Sequence, residues 1–264
     1  MSGFQGNPCW YELGTTDPAA AGRFYAEVLG WAVSNSGMEG MVYLLARAGE
    51  EMVAGLTSNA GQAGAPPPNW LTYFAADDCD ATAAAAEAAG GRVLVAPADI
   101  PGTGRFAVLA DPQGAVFGLL EPDMSRMTEA ERKKALTTGA FDPAKTGHGA
   151  WNELMSSDPA AAEGFYAGLF GWTKARTLDM GEEGTYRILS HKGRDIGAVM
   201  GLGNAPVPAW LPYFGADPVR AAMARIEAAG GTVHHGPHEV PGGMHIAVAT
   251  DPQGAWFAVV GPLG

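Results

Sequence analysis

Cysteine is all but missing from this chain: Cys9 and Cys79 are the only two among 264 residues. Their spacing matches no metal-binding motif, and two thiols do not make a disulfide framework, so both read as small apolar fillers. Basic residues are scarce as well. The 16 Lys and Arg stand against 28 Asp and Glu, a net charge of −12, and no Lys/Arg-rich run gathers an opposite field locally. Such a surface repels phosphate backbones and anionic lipid, which argues against nucleic acid and membrane as partners. Long apolar runs are also lacking. The first 30 residues carry Glu12, Asp17, Arg23 and Glu27, so neither a secretory signal nor a membrane span is readable, and the expected location is cytoplasmic. No glycine-rich phosphate loop joins a strand to a helix, since Gly102-Thr-Gly104 precedes a strand. No Gly-x-Ser-x-Gly elbow and no Cys/His nucleophile arrangement occurs either.

What the chain does have is 47% apolar residues, enough for a core, and an internal repeat. Trp10-Tyr-Glu-Leu-Gly-Thr-Thr-Asp17-Pro-Ala-Ala-Ala-Gly-Arg-Phe-Tyr25-Ala-Glu-Val-Leu-Gly-Trp31 returns as Trp151-Asn-Glu-Leu-Met-Ser-Ser-Asp158-Pro-Ala-Ala-Ala-Glu-Gly-Phe-Tyr166-Ala-Gly-Leu-Phe-Gly-Trp172, 141 positions later. Three further blocks return at an offset of 140: Trp70–Phe74 as Trp210–Phe214, Ala89–Val93 as Ala229–Val233, and Asp111–Phe117 as Asp251–Phe257. Four blocks in one order define a duplicated module, at 1–122 and 148–264, with a polar linker at 123–147. Within the linker, Ser125–Lys134 reads as a short exposed helical stretch.

Local signals agree on the elements. Asp17 followed by Pro18 starts a helix, Phe24/Val28 and Tyr25/Leu29 supply its apolar face, and Gly30 stops it. Asp158, Pro159 and Gly171 repeat the pattern. Strands are expected at Trp10–Thr15, Met41–Ala46, Met52–Leu56, Trp70–Ala75, Arg92–Val95, Arg105–Ala110 and Val116–Leu120, with an alanine-rich helix at Asp80–Ala89. Asp111-Pro-Gln-Gly114 is the turn between the last two strands. Each copy thus reads as two β-α-β-β-β units, an α+β architecture.

The run Asp-Pro-x-x-Ala-x-x-Phe-Tyr-x-x-x-x-Gly-Trp after a first strand, with the late Asp-Pro-Gln-Gly turn, resembles the vicinal oxygen chelate superfamily of glyoxalase I, extradiol dioxygenases and bleomycin-resistance proteins. The resemblance implies two tandem glyoxalase-like modules, each of paired βαβββ units whose mixed sheet curls into a cup with helices outside. In catalytic members a divalent metal sits in the cup. The positions it implies for the metal ligands are Trp10 or Trp151, Leu71 or Leu211, Gly118 or Ala258, and the neighbourhood of Ala54 or Ala198. None carries imidazole, carboxylate or thiolate, so no metal and no cofactor is expected there.

Taking those positions as inward-facing, strand alternation adds Glu12, Glu153, Tyr73, Tyr213 and Leu120 to the cup. Reading Phe106 and Val108 as helix-facing core turns Arg105 and His245 inward as well, and the small Gly118 and Ala258 are expected to leave room. Glu12 and Glu153 are the candidates for general acid or base, because enclosure by Trp and Leu raises a carboxyl pKa. The alternative is a solvated or Arg-paired strand carboxylate, with Arg105 as partner, and Tyr73 and Tyr213 are equally readable as packing residues. His234, His235, His238 and His245, beside Glu239, form a cluster confined to one copy and are either a metal site or a solvated strand end. Three functional readings follow. The first is a metal-independent cup that binds a small molecule, a monomer being expected because both modules lie in one chain. The second is an aldehyde-detoxifying lyase acting on a methylglyoxal–thiol adduct through Glu12 or Glu153. The third is a regulatory protein with a vestigial cup.

Overall fold

A computed structural model of the chain describes residues 3–38, 40–61, 64–125, 127–130, 139–181 and 184–264. Copy one contains β1 (Pro8–Thr15), α1 (Pro18–Leu29), β2 (Ala32–Asn35), β3 (Tyr43–Ala48), β4 (Glu51–Ser58), β5 (Asn69–Ala75), α2 (Cys79–Ala88), β6 (Arg92–Ile100), β7 (Gly104–Ala110) and β8 (Val116–Pro122). Copy two repeats the order with β9 (Gly149–Ser156), α3 (Pro159–Phe170), β10 (Thr173–Asp179), β11 (Thr185–His191), β12 (Arg194–Gly201), β13 (Ala209–Gly215), α4 (Val219–Ala228), β14 (Thr232–Val240), β15 (Met244–Thr250) and β16 (Trp256–Gly261). The edge strands β2 and β10 carry no clean apolar alternation, and only the structure defines them. Much of the helical stretch expected at Ser125–Lys134 lies outside the described residues. Among the described residues no helix is long and apolar enough to cross a membrane.

The strands form two eight-stranded mixed sheets, ordered β2-β3-β4-β1-β5-β8-β7-β6 and β10-β11-β12-β9-β13-β16-β15-β14. The pairs β1/β4, β5/β8, β9/β12 and β13/β16 are parallel, and the pairs joined by tight turns, such as β3/β4 and β7/β8, are antiparallel. The compact units do not coincide with the sequence repeat. One unit comprises Met1–Cys9, Thr72–Thr138 and Asn152–Trp210; the other comprises Trp10–Leu71, Gly139–Trp151 and Leu211–Gly264. Each therefore joins the leading half of one copy to the trailing half of the other.

The repeated motifs are what stitches each unit. Asp17 caps α1 by accepting from Ala20 N at 2.9 Å, and Gly30, at φ 74°, ends it in the left-handed conformation that glycine adopts without Cβ strain. Tyr25 of that helix donates to Asp251 Oδ2 at 3.1 Å and accepts from Trp70 Nε1 at 2.9 Å, all within one unit. Tyr166, Asp111 and Trp210 repeat the arrangement in the other unit at 3.2 and 3.0 Å. The turn aspartates also accept backbone N–H bonds, Asp251 from Gln253 and Ala255 and Asp111 from Gln113 and Ala115. Around these bonds pack Phe24, Trp31, Phe214 and Phe257 in one unit and Phe74, Phe117, Phe170 and Trp172 in the other. The Phe-Tyr, Gly-Trp and Asp-Pro-Gln-Gly motifs are thus core motifs, and Trp31 and Trp172 are buried as expected.

The C-terminal part of the expected linker is built into its unit. Ala140 and Phe141 are buried, Trp31 Nε1 donates to Gly147 O at 2.7 Å, and Glu51 Oε2 accepts from Lys145 Nζ at 2.7 Å while lying 2.8 Å from His148 Nε2. The Lys145 hydrogen bond, with that of His148, holds Glu51 below its ordinary carboxyl value of 4.5. A depressed pKa supplies stability above the unfolded value and loses it as pH falls through the folded one. Glu51→Gln is therefore expected to lower the urea midpoint at pH 7, with the gap from the unsubstituted protein closing by about pH 3. A gap of the same size at both pH values would refute this clasp.

Candidate functional site

On β1, Tyr11 and Leu13 are fully buried, which turns Trp10 and Glu12 to the opposite, half-buried face. Glu12 stands beside Gly55 of β4 in the parallel ladder, and Tyr43 reaches this point from β3. Its hydroxyl donates to Glu12 Oε2 at 2.8 Å, and Trp10 Nε1 donates to Tyr43 Oη at 3.1 Å. The Tyr43 ring lies over Gly55: a Cβ there would stand 2.0 Å from Tyr43 Oη, so in this position the phenol occupies the place of a side chain. Burial first, and the Glu12 charge second, push the Tyr43 phenol well above its ordinary pKa, so it stays a protonated donor.

Copy two repeats the carboxylate–phenol pair. Tyr186 Oη donates to Glu153 Oε2 at 2.8 Å, while Asn152 and Leu154 face the core. Glu153 pairs with Ala198, the counterpart of Gly55. Ala54, read above as a site position, instead pairs with Tyr11 and is fully buried. Tyr43 and Tyr186 were not among the expected site residues. The available signal was a tyrosine near the start of the third strand of each copy, Tyr43 before Leu44-Leu45 and Tyr186 before Ile188-Leu189; their reach across a neighbouring strand was not readable.

The remaining site positions divide. Trp151, Leu71 and Leu120 are half-buried on their strands, whereas Tyr73, Leu211, Tyr213 and Ala258 are buried. The room expected over Gly118 is filled: a Cβ there would lie 2.2 Å from the Tyr73 ring, its neighbour in the β5/β8 ladder. Tyr213 and Ala258 hold the same register and are both buried.

Arg105 and His245 do not face the cup. Ala107 and Leu109 of β7, and Ala247 and Ala249 of β15, are completely buried on the helix-facing side, so the residues in phase with them face the helices too. Arg105 accordingly donates to Asp80 of α2 and to Asp99, the latter at 2.8 Å, and is not the partner of Glu12. The physical reason is the close approach of α2, whose buried face is Cys79, Thr82, Ala83 and Ala86; small residues lie under it, and the larger Phe106 and Val108 go to the other side.

The histidine cluster does not converge. His234 stacks on Trp256 with ring centroids 4.3 Å apart and lies 3.0 Å from Thr250 Oγ1, while His235 and His238 are exposed on β14 opposite Val248 and Ile246. Among the described residues no group of three or more His, Cys, Asp or Glu is arranged to hold a metal ion. At the positions where the superfamily resemblance puts metal ligands, Trp10, Leu71 and Gly118 offer no donor, and the Tyr73 ring covers Gly118. These residues do not fit a divalent metal.

The sequence profile of the Glyoxalase/Bleomycin resistance protein/Dioxygenase superfamily matches residues 9–119 and 147–259. The chain is 34% identical to "Putative glyoxylase CFP32" of Mycobacterium tuberculosis, over 98% of this chain and 95% of that protein. It is 32% identical to the anthracycline biosynthesis protein DnrV of Streptomyces peucetius, over 97% of this chain and 93% of that one. A Mn(II)-bound glyoxalase from Novosphingobium aromaticivorans shares the fold, with a TM-score of 0.64 at 18% identity over 98% of this chain and 83% of that structure.

Proposed function

Since the chain belongs to the glyoxalase/bleomycin resistance protein/dioxygenase superfamily, we propose that it is a cytoplasmic, monomeric member that binds a small organic molecule without a divalent metal at the usual four positions. The observation that carries this reading is the half-buried Trp10–Tyr43–Glu12 chain of hydrogen bonds on the open face of β1. An aromatic surface with a few fixed polar groups is the ordinary make-up of a small-molecule site. A carboxylate held in one geometry by a phenol costs less ordering on binding than a free side chain.

A second reading has its own support in the relative named as a glyoxylase. Under it, Glu12 or Glu153 moves a proton on a methylglyoxal–thiol adduct, with Tyr43 or Tyr186 as the neighbouring donor. A ligand screen and a turnover assay separate the two readings. A thermal-shift screen of aromatic and amine-bearing compounds is expected to yield ligands that raise the melting temperature by several degrees at saturating concentration, as mass action requires. Glu12→Gln is expected to abolish most of that shift. A broad screen without a single stabilising compound would overturn the binding reading, and turnover of the adduct that is lost in the Glu12→Gln/Glu153→Gln double variant would establish the enzymatic one.

A further inference from the structure

Ahead of β1, residues 3–7 pack as a strap onto the unit that also holds Thr72–Thr138 and Asn152–Trp210, and the joint they make occurs twice in the chain. Gly6 N donates to Ala75 O and Ala75 N to Asn7 O, both at 2.8 Å, and Trp172 Nε1 donates to Gly6 O at 2.8 Å. In the other unit Gly147 and His148 make the same backbone bonds with Gly215, and Trp31 Nε1 donates to Gly147 O at 2.7 Å. The strap lies flush with its unit. A Cβ on Gly6, at φ 80°, would stand 2.8 Å from Phe170 Cβ and 2.9 Å from Trp172 Nε1, so glycine alone fits there. The two joints differ in what the third strand of each copy brings to them. Ala48 ends β3 beside Gly147, where an added Cβ would lie 3.1 Å from the alanine methyl. His191 ends β11, and its imidazole lies against the backbone of Gln5 on the strap.

His191 is only 7% exposed, and among the described residues neither ring nitrogen forms a hydrogen bond of ordinary geometry. A neutral imidazole carries one N–H and one lone pair, so burying both unpaired is costly. Adding a proton costs more. The charged groups around the ring are Lys192, beside it in the turn and donating to Gly3 O on the strap; Arg194, opposite it in the β11/β12 ladder; and Asp77, whose Oδ1 accepts from Gln5 N at 3.0 Å. An imidazolium would thus be a third cation, in a buried place, beside a carboxylate that already holds the strap backbone. Burial first, and the Lys192 charge second, lower the His191 pKa from its ordinary 6.5, with the Gln5 backbone opposing them. A histidine whose pKa is lowered by closure supplies stability to the closed form that is complete above the ordinary value and is lost as pH falls below it toward the lowered one.

We infer that residues 3–7 are an acid-released strap, with His191 as the latch that protonation opens and with no titratable side chain at Ala48, the matching place in the other joint. Release uncovers Trp172, which stacks on Tyr166 with ring centroids 5.5 Å apart, so the loosened end adjoins the Tyr166–Asp111 hydrogen bond.

Amide hydrogen exchange of the full chain tests this, read as the protection of the Gln5 and Gly6 amides after correction for the intrinsic rate at each pH. Between about pH 7.5 and about pH 5.5, a window above the ordinary carboxylate range, that protection is expected to fall severalfold. His191→Ala copies the residue of the other joint, and His191→Phe keeps a ring in the space. Each is expected to make the protection independent of pH across the window, whatever its absolute level. The His191 ring protons, followed by NMR in the unsubstituted chain, are expected to titrate below 6.5. Should one variant fail to fold, the other variant and the ring titration decide the question. Protection that is the same at both pH values, a fall that persists without His191, or a ring that titrates at or above its ordinary value would overturn the inference.

Discussion

Asp251→Ala is expected to lower the stability of the chain by about 3–5 kcal/mol, a fall of about 10 °C in melting temperature. The carboxylate is nearly inaccessible at 3% exposure, and it accepts from Gln253 N and Ala255 N at 2.9 Å and from Tyr25 Oη at 3.1 Å. Alanine leaves those donors facing a gap, in a region walled by Phe24, Trp70 and Phe257 against Tyr25, and an unsatisfied buried donor costs far more than a solvated one. Asp111→Ala is expected to do the same in the other unit, where Tyr166 and Trp210 take the matching places. The pH dependence has a definite sign. Burial, only partly offset by the Ala255 and Tyr25 hydrogen bonds, raises Asp251 above its ordinary 3.8. A raised carboxyl supplies stability that is complete below its unfolded pKa and declines as pH rises through the folded one. The deficit of Asp251→Ala should therefore be greater near pH 3.5 than at pH 7. Urea unfolding at the two pH values measures it, and a deficit under about 1 kcal/mol, or one that grows with pH, would show that the network is not what holds the motif.

The second large effect is at Gly55. Its missing side chain is the space in which the Tyr43 hydroxyl lies, and an added Cβ would stand 2.0 Å from that oxygen and 2.4 Å from Cζ. Gly55→Val is expected to evict the ring, breaking both the bond to Glu12 and the bond from Trp10, and to cut the affinity for any compound from the screen by about tenfold or more. The stability cost of the displacement is about 1–3 kcal/mol, reduced by the better strand propensity of valine. Copy two sharpens the expectation. Its counterpart, Ala198, already bears a Cβ beside Glu153, and Tyr186 still reaches that carboxylate at 2.8 Å, so Gly55→Ala is expected to be much milder than Gly55→Val. Equal affinities in the unsubstituted protein and Gly55→Val would mean that Tyr43 has no part in binding.

How much of this was legible before any coordinates depended on the range of the interaction involved. Helix α1 was readable to its ends because its cap, its proline and its terminal glycine act within a few residues: Asp17 binds Ala20, and Gly30 binds Ala26. The repeat was readable because Asp111, Tyr166 and their counterparts are the same residue types in the same order. Their partnership was not, since Tyr25 meets Asp251 across more than 200 residues and from the other copy. The failure at Arg105 has a different cause. Alternation fixes which residues share a face but not which face is the core, and choosing by size put Phe106 on the helix side, where the structure instead buries Ala107 and Leu109. Glu12 shares the half-buried face of β1 with Trp10, two residues away. Its partner was beyond reach, because Tyr43 comes from β3, which is not adjacent to β1, and crosses at a glycine whose significance only the register shows.

The most direct test of the account is to watch Trp10 itself. In protein labelled with ¹⁵N at its tryptophan indoles, the Nε1–H signal of Trp10, assigned through Trp10→Phe, reports both its bond to Tyr43 and anything that settles on the β1 face. Titration with a stabilising compound from the screen is expected to move that signal saturably, with the same dissociation constant as the thermal shift, and Glu12→Gln is expected to weaken that binding. If the compound saturates the protein while the Trp10 signal stays in place, the ligand is bound elsewhere and the assignment of the site to Trp10, Glu12 and Tyr43 is wrong.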